Sequence, residues 1–248
     1  MPNHVTSRIK FSSQEAFDLF KSKYVGKEGD EDFFDFNKVI PMPEGLHIES
    51  GSRTEDGILV VIDELKRSGI EGSQQIIDAV IAAKRRENIF GDFHPLSSKE
   101  LVELISTAKK NGFYDEMVKT GKQAVKNIIE TGYSDWYHWS VANWGTKWNS
   151  YSYGENRNDL EIYFQTAWDA PRPIIEKIMA EMPTGSIAEY EYADEDIGNN
   201  VGHYDPELGV FPYDNGSDKA MEVAVRLNGV EEYYRRNEDG SWEYIEEE

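Results

Sequence analysis

The tryptophan-rich stretch of residues 132–149 constrains the fold of this chain more than any other feature of the sequence. Tryptophan has a large apolar ring and one N–H group that needs a hydrogen-bond partner when it is buried, so a cluster of them predicts either a dense local core or a stacking surface. Asp135 and Gly145 are suited to begin and end a short helix here. The stretch holds four of the six tryptophans of the chain, which are Trp136, Trp139, Trp144 and Trp148.

The size and composition of the chain predict a folded protein. Its 248 residues, 39% of them hydrophobic, are enough for one large domain or two smaller ones with a real core. The lack of a long apolar run and of a secretory signal pattern predicts a soluble, cytoplasmic protein that does not bind membranes. The absence of cysteine excludes disulfides, a thiol nucleophile and a thiolate zinc site. No cofactor is predicted.

Negative charge is concentrated at the C-terminal end of the chain. The net charge is −21, and residues 181–248 contain nineteen Asp or Glu against four Lys or Arg, whereas residues 57–130 hold eleven of each sign. So negative a field repels phosphate backbones, which disfavours direct nucleic-acid binding by this part. The charge serves either solubility alone or a surface that imitates nucleic acid or meets a basic partner.

Periodicity along the chain predicts a series of strands and helices. The alternation of residues 4–11 predicts a strand, and Ser12 and Ser13 then provide a cap for an amphipathic helix. A polar loop over 26–32 and a short aromatic strand follow, and residues 57–130 have the apolar spacing of three or four helices. After the tryptophan stretch come a strand, a helix begun by prolines, and another strand. The remainder is predicted to form short antiparallel strands, at 208–211, 223–227, 231–235 and 241–244.

This order of elements predicts an α+β fold of the ferredoxin-like, or split βαβ, type. Its antiparallel sheet would carry a helical insert and a C-terminal β-rich extension. The predicted domain comprises residues 1–56 and 131–248, with residues 57–130 as the insert.

Five motifs in a fixed order are spread over most of the chain outside residues 50–130. They are Met1–Val5, Asp35–Pro43, Trp136–Asn149, Thr166–Trp168 with Pro171 and Pro173, and Tyr192–Asp196 with Gly198 and Asn199. Together these motifs resemble phage- and plasmid-encoded proteins that carry a YubB-type ferredoxin-like domain. The resemblance implies a small accessory protein of mobile genetic elements, and it supplies no catalytic residues.

The end of the tryptophan stretch offers a candidate ligand-binding site. Trp144, Trp148 and Tyr151 would form an aromatic wall, and Lys147 would meet an anionic group such as a nucleotide phosphate. The alternative is that the indoles pack a helix onto the sheet, with Lys147 lying over a ring.

Asp194 and Asp196 are candidate ligands for a hard cation, because they follow a strand and carry carboxylates. The calcium-loop pattern fails when it is counted from Asp194, so a charged turn is the competing interpretation. His203 and Asp205 could serve as a base and its orienting group, but no nucleophile stands in a recognised signature. Enzymatic activity is therefore not supported by the sequence.

These observations lead to three hypotheses from different classes. The first is a non-enzymatic accessory protein that binds a host protein with a basic surface, such as a defence component, through its acidic part. The second is a protein that binds or sequesters a nucleotide-like small molecule at the aromatic site. The third is a metal-dependent enzyme.

Overall fold

Residues 3–87 and 93–245 are described by a computed structural model of this chain. Met1 and Pro2 of the opening motif therefore lie outside the described residues. The chain divides into two units, one made of residues 1–41 and 141–248 and the other of residues 42–140. The predicted insert, 57–130, falls within the second unit.

A six-stranded antiparallel sheet forms the first unit, in the order β4-β5-β1-β6-β7-β8. Its first four strands and two helices follow one another along the chain as βαββαβ, and β1 pairs with β5 on one side and β6 on the other. This is the ferredoxin-like arrangement, as the sequence predicts. The six elements are β1 His4–Phe11, α1 Gln14–Tyr24, β4 Tyr151–Asn156, β5 Glu161–Ala167, α7 Arg172–Glu181 and β6 Ile187–Asp194.

Further elements extend this unit. Strands β7 and β8 continue the sheet beyond β6, helix α8 packs on β6 and β7, and two hairpins lie outside the main sheet. The extension after β6 is therefore mixed, with a helix among its strands. These elements are β2 Val25–Glu28, β3 Glu31–Phe34, β7 Val201–Asp205, β8 Gly209–Pro212, α8 Asp218–Leu227, β9 Tyr234–Arg236 and β10 Trp242–Tyr244.

Aromatic rings fill the core on the face of the sheet that α1 covers. Phe11 of β1 lies 5.5 Å from Phe17 of α1, ring centre to ring centre, and nearly perpendicular to it. Such edge-to-face pairs add to the free energy of burial, which is about 1.5–3 kcal/mol for each fully buried ring. The other rings of this core are Phe20, Phe34, Phe36, Phe164 and Trp144.

The opposite face of β1 carries a buried ion network. Arg8 is only 7% exposed, and it donates from Nη1 to Glu161 at 2.7 Å and from Nη2 to Glu191 at 2.6 Å. It also pairs with Glu189, and Arg226 of α8 pairs with Glu191. Burial opposes the charge of Arg8, but the negative charges around it, Glu191 first, hold its pKa above the ordinary value.

The predicted strand at residues 223–227 is wrong, because these residues belong to helix α8. The β-branched alternation of Val223 and Val225 favours a strand over a short window. Over a longer window Ala220, Val223, Ala224 and Leu227 have helical spacing, and all four are buried against Ala193 and Val201 of the sheet. Ser217 caps the helix by accepting from the Ala220 N–H at 3.2 Å.

The predicted polar loop at residues 26–32 is also wrong in part. Most of it forms the β2–β3 hairpin, in which Val25 pairs with Phe34 and Glu28 with Glu31. Gly29 adopts φ 61° at its turn, a conformation that glycine adopts without strain. Because this hairpin is largely exposed, many of its residues are charged, and the alternation of apolar and polar residues that predicts a strand is weak.

Four helices make up most of the second unit. Ile58 and Ile62 of α2 pack with Val80 of α3 and Ile128 of α5 in one buried cluster. In the described ranges, no helix combines the length and apolar character needed to cross a membrane. The helices are α2 Ser52–Ser68, α3 Ser73–Glu87, α4 Ser98–Lys110 and α5 Tyr114–Thr131, and the shorter α6, Trp136–Asn143, ends before Gly145.

Candidate functional site

The four residues of the sequence-predicted ligand site occupy three different environments. Trp144 is 4% exposed and belongs to the core. Its indole N–H donates to the Ile40 carbonyl at 2.9 Å, and its ring meets Phe36 edge to face. Trp144 therefore does not form a surface wall with the other three residues.

Lys147 and Trp148 lie at the surface together with a third residue, Trp168. The Lys147 ammonium is 4.7 Å from the Trp148 ring centre and 4.9 Å from that of Trp168, so it interacts with both π faces. The two indoles are about 40% exposed, at 39% and 41%. We call these three residues the indole platform.

The backbone of Trp168 is held in an unusual conformation. Its φ is 76°, in the left-handed region that a bulky residue seldom adopts. Its N–H donates to the Asn3 carbonyl at 2.9 Å, and its own carbonyl accepts from the Asn200 side chain at 3.3 Å. Strain of this kind persists where the surrounding structure enforces it, and here it keeps an indole at the surface.

Tyr151 points away from the platform, toward His4 at the start of β1. Its hydroxyl donates to the Thr166 carbonyl at 3.0 Å and lies 2.8 Å from His4 Nδ1. A carbonyl can only accept, so the single hydroxyl hydrogen goes to Thr166 and His4 Nδ1 must be the donor to Tyr151. In the neutral ring this leaves His4 Nε2 as an acceptor.

Asp194 organises the loop that follows β6. Its carboxylate is buried, and it accepts from the Asn3 side chain at 3.2 Å, the Asp196 N–H at 2.9 Å and the Asn200 side chain at 3.3 Å. Asp196 is exposed, and its carboxylate accepts from Asn199 at 3.0 Å. Among the described residues, no group of three or more side chains suited to hold a metal ion includes these two.

His203 and Asp205 do not interact as a base with its orienting group. The ring of His203 stacks on Tyr213, with 4.5 Å between ring centres. The Asp205 carboxylate accepts from the backbone N–H groups of Glu207 and Leu208, which lower its pKa. Asp205 thus stabilises the β7–β8 turn.

A cavity of about 470 Å³ lies beside the His4–Tyr151 pair, and we call it the tyrosine pocket. Three tyrosines of the C-terminal hairpin region contribute the aromatic part of its lining. Polar side chains from the sheet and from the loop after β6 contribute the polar part. It is lined by His4, Gln165, Glu195, Ile197, Asn228, Val230, Tyr233, Tyr234 and Tyr244.

Hydrogen bonds hold two polar lining residues of the tyrosine pocket, Glu195 and Asn228, in place. The Glu195 N–H donates to the His4 carbonyl at 2.9 Å, and the Asn228 side chain donates to the Asp194 carbonyl at 2.9 Å. Burial raises the pKa of Tyr151, and the negative charge of Glu195 raises it further. The Glu195 carboxylate therefore lies close enough to Tyr151 to influence it.

Sequence reasoning identified Tyr151 but missed the tyrosine pocket beside it. The residues that line this pocket come from five separated segments, and no spacing in the sequence connects them. The only local signal is the doublet Tyr233-Tyr234 together with Tyr244, at the ends of two short strands that pair with each other.

A family model described as a ferredoxin-like domain in Api92-like protein matches residues 147–216. This range runs from just before β4 to just after β8 and includes four of the six elements of the βαββαβ core, which supports the ferredoxin-like fold. No curated protein and no solved structure was found to match the chain.

Proposed function

We propose that this protein acts by binding, and that its partner is a protein with a basic surface. The carboxylates of the C-terminal part, residues 181–245, would form the contact. The observation that carries the proposal is that each of the four basic residues in this part already forms an ion pair with a carboxylate of the same part.

Because all four basic residues of the C-terminal part are used in these pairs, this part has no other positive charge to balance its remaining carboxylates. Lys219 pairs with Glu222 and Arg226 with Glu191. Arg235 pairs with Glu243, and Arg236 with Asp218. The carboxylates of Glu207, Asp214 and Glu238, by comparison, belong to exposed residues. Glu246 to Glu248 add further charge in the sequence but lie outside the described residues.

A surface of this kind attracts a basic protein before contact is made. Electrostatic steering raises association rates and acts over about 8–10 Å at ordinary ionic strength. A partner in a bacterial host, such as a defence component, is supported by the resemblance to YubB-type proteins of phages and plasmids. Inhibition of that component would follow if the acidic surface occupied its nucleic-acid groove.

Affinity capture followed by a salt series tests this proposal. The tagged protein is incubated with bacterial lysate at low salt, bound proteins are identified, and the affinity of each purified partner is measured from 50 to 500 mM salt. We expect a partner with a basic groove, whose affinity falls by about tenfold or more across the series.

A charge-matched pair of variants controls for general effects. The triple variant Glu207→Gln, Asp214→Asn, Glu238→Gln removes three exposed carboxylates from the acidic part, and we expect it to bind the partner more weakly. The control variant Glu103→Gln, Glu116→Gln, Glu130→Gln removes three from the helical unit. Equal effects of the two variants, or no partner from several hosts at low salt, would contradict the proposal.

We propose, as a second candidate, that the indole platform binds a flat anionic ligand such as a nucleotide. The observation in favour is that two partly exposed indoles flank one ammonium group, and that the strained backbone of Trp168 keeps its ring there. A base would stack on an indole and a phosphate would meet Lys147.

Thermal-shift measurements with mono-, di- and cyclic nucleotides test the second candidate. A ligand at one hundred times its dissociation constant adds about 2.7 kcal/mol to the free energy of unfolding. Lys147→Ala and Trp148→Ala should abolish the shift, whereas Trp242→Phe, on the C-terminal hairpin, should retain it. A shift that survives both platform substitutions would place the ligand elsewhere.

A further inference from the structure

We infer that the tyrosine pocket receives one arginine side chain of the basic partner. This inference rests on the proposed function and makes it specific, since it names the group that the acidic surface would bind most closely. Three features of the pocket carry it: the aromatic rings, the acceptors that line the same cavity, and the pairing of the nearby arginines.

The C-terminal hairpin presents the aromatic rings of the pocket. Tyr234 and Tyr244 are direct partners in the β9–β10 ladder, and their rings meet edge to face with centres 5.4 Å apart. Tyr233 lies nearly parallel to Tyr244 at 6.4 Å, and the Ile245 N–H donates to the Tyr233 carbonyl at 2.8 Å. Tyr244 is 60% exposed, so its ring remains accessible to a cation.

Side chains that can accept hydrogen bonds also line the cavity. Glu195 is exposed and lines it, as do Gln165 and His4. The hydrogen bonds of Tyr151 make His4 Nε2 an acceptor when the ring is neutral, as described above. A guanidinium has five N–H donors in a plane and stacks on aromatic rings, so it fits aromatic faces with several acceptors opposite better than an ammonium does.

The arginines nearest to the pocket in the sequence are engaged elsewhere. Arg235 and Arg236 follow Tyr234 directly, but Arg235 pairs with Glu243 across the hairpin and Arg236 with Asp218 of α8. The nine residues that line this cavity, all within the described ranges, include no lysine or arginine. No lysine or arginine of the lining therefore competes for Glu195, which leaves its carboxylate available to a cation of another molecule.

Titration of the full chain with small probes tests the inference, with binding followed by NMR chemical shifts. The probes are N-acetyl-arginine amide, N-acetyl-lysine amide and, as the uncharged control, N-acetyl-glutamine amide. We expect saturable shifts with the arginine probe, affinity at least about threefold weaker for the lysine probe, and no saturation with the glutamine probe.

Variants distinguish binding of the arginine probe in the pocket from general electrostatic attraction of a cation to an acidic protein. Glu195→Gln and Tyr244→Ala should each weaken the arginine probe by about five- to tenfold, while Tyr244→Phe retains the ring and should retain affinity. Glu103→Gln removes one exposed charge of the helical unit that does not line the pocket and should change affinity by less than about twofold. Equal losses for Glu195→Gln and Glu103→Gln, or no saturation with the arginine probe, would overturn the inference.

The same variants distinguish failure of this inference from failure of the proposed function. A captured basic partner that binds the Tyr244→Ala protein as tightly as the unaltered protein would overturn the pocket assignment and leave the acidic-surface proposal standing. Specific arginine-probe binding without any basic partner would retain the pocket and contradict the acidic-surface proposal.

Discussion

Gly57 of α2 and Gly121 of α5 pack backbone against backbone. A Cβ atom added to Gly121 would lie 2.2 Å from the Gly57 carbonyl carbon, and one added to Gly57 would lie 2.2 Å from the Met117 carbonyl oxygen. Real Cβ atoms do not approach this closely, and the atoms they would meet are backbone. These two positions therefore set how near the two helices can come.

Gly121→Ala should destabilise the helical unit by about 1–3 kcal/mol or more, because the helices must move apart although alanine has the better helix propensity. Gly154→Ala in β4 is the control, since nothing lies within 4 Å of an added Cβ there. Urea unfolding followed by circular dichroism measures both. If Gly121→Ala were as stable as the unaltered protein, the close helix contact would be incorrect.

Arg8→Met should destabilise the first unit by about 3–5 kcal/mol, because it leaves the buried Glu161 and Glu191 without their main cation. The same substitution at Arg157, whose side chain is 64% exposed, should cost less than about 1 kcal/mol. Adding Glu191→Gln to Arg8→Met should recover part of the loss. Thermal unfolding of these proteins and of the single variant Glu191→Gln measures this, and strictly additive effects of Arg8→Met and Glu191→Gln would argue against the network.

Asp135→Asn should make stability less sensitive to acid. The carboxylate accepts from the Tyr137 and His138 N–H groups at 3.0 and 3.2 Å. Burial alone would raise its pKa, but the hydrogen bonds and charge of His138 and the Ser134 hydroxyl hold the pKa below its ordinary value. A carboxyl whose pKa is lower in the folded state stabilises the protein above the unfolded pKa of about 3.9 and loses this contribution as the pH falls.

The difference in unfolding free energy between the unaltered protein and Asp135→Asn should therefore be about 1–2 kcal/mol at pH 6 and should shrink below about pH 4. Urea titrations between pH 6 and pH 2 measure it. A difference that stays constant over that range would show that ionisation of Asp135 does not contribute.

Magnesium, manganese and calcium should bind the loop after β6 no more tightly than millimolar, because the Asp194 carboxylate already accepts three hydrogen bonds. Calorimetric titration of the unaltered protein and of Asp196→Asn measures this. Submicromolar binding that Asp196→Asn abolishes would restore the metal-site hypothesis. Asp194→Asn, in contrast, should lower stability by about 1–3 kcal/mol without any added metal, since it disturbs a buried acceptor.

The central elements of the fold could be predicted because their patterns are local. Val5, Ile9 and Phe11 alternate with polar residues along β1, and Pro171 and Pro173 mark the start of α7. Helix α8 was missed because Val223-Ala224-Val225 resembles a strand when the Ser217 cap is ignored. The β2–β3 hairpin was missed because half of residues 25–34 are charged and its hydrophobic pattern is weak.

The candidate sites were harder to predict, because they depend on which distant residues meet. Trp144 and Trp148 are alike in sequence context. Trp144 is nevertheless buried in the core, where it contacts Phe36 and donates to the Ile40 carbonyl, whereas Trp148 is partly exposed at the surface. Trp168 joins Lys147 from the end of β5, and the tyrosine pocket needs the register of β9 and β10. None of these relationships follows from spacing along the chain.

The position of β1 in the sheet affects how the chain folds while the ribosome synthesises it. Residue 4 pairs with residue 167 and residue 5 with residue 194, so both neighbours of β1 are synthesised after the whole helical unit. At about 5–20 residues per second, the first strand waits on the order of ten seconds with both edges unpaired. The helices of residues 42–140, whose contacts are closer in sequence, can fold during that interval. The nascent chain is thus most exposed to aggregation, and most in need of a chaperone, before its second half has been translated.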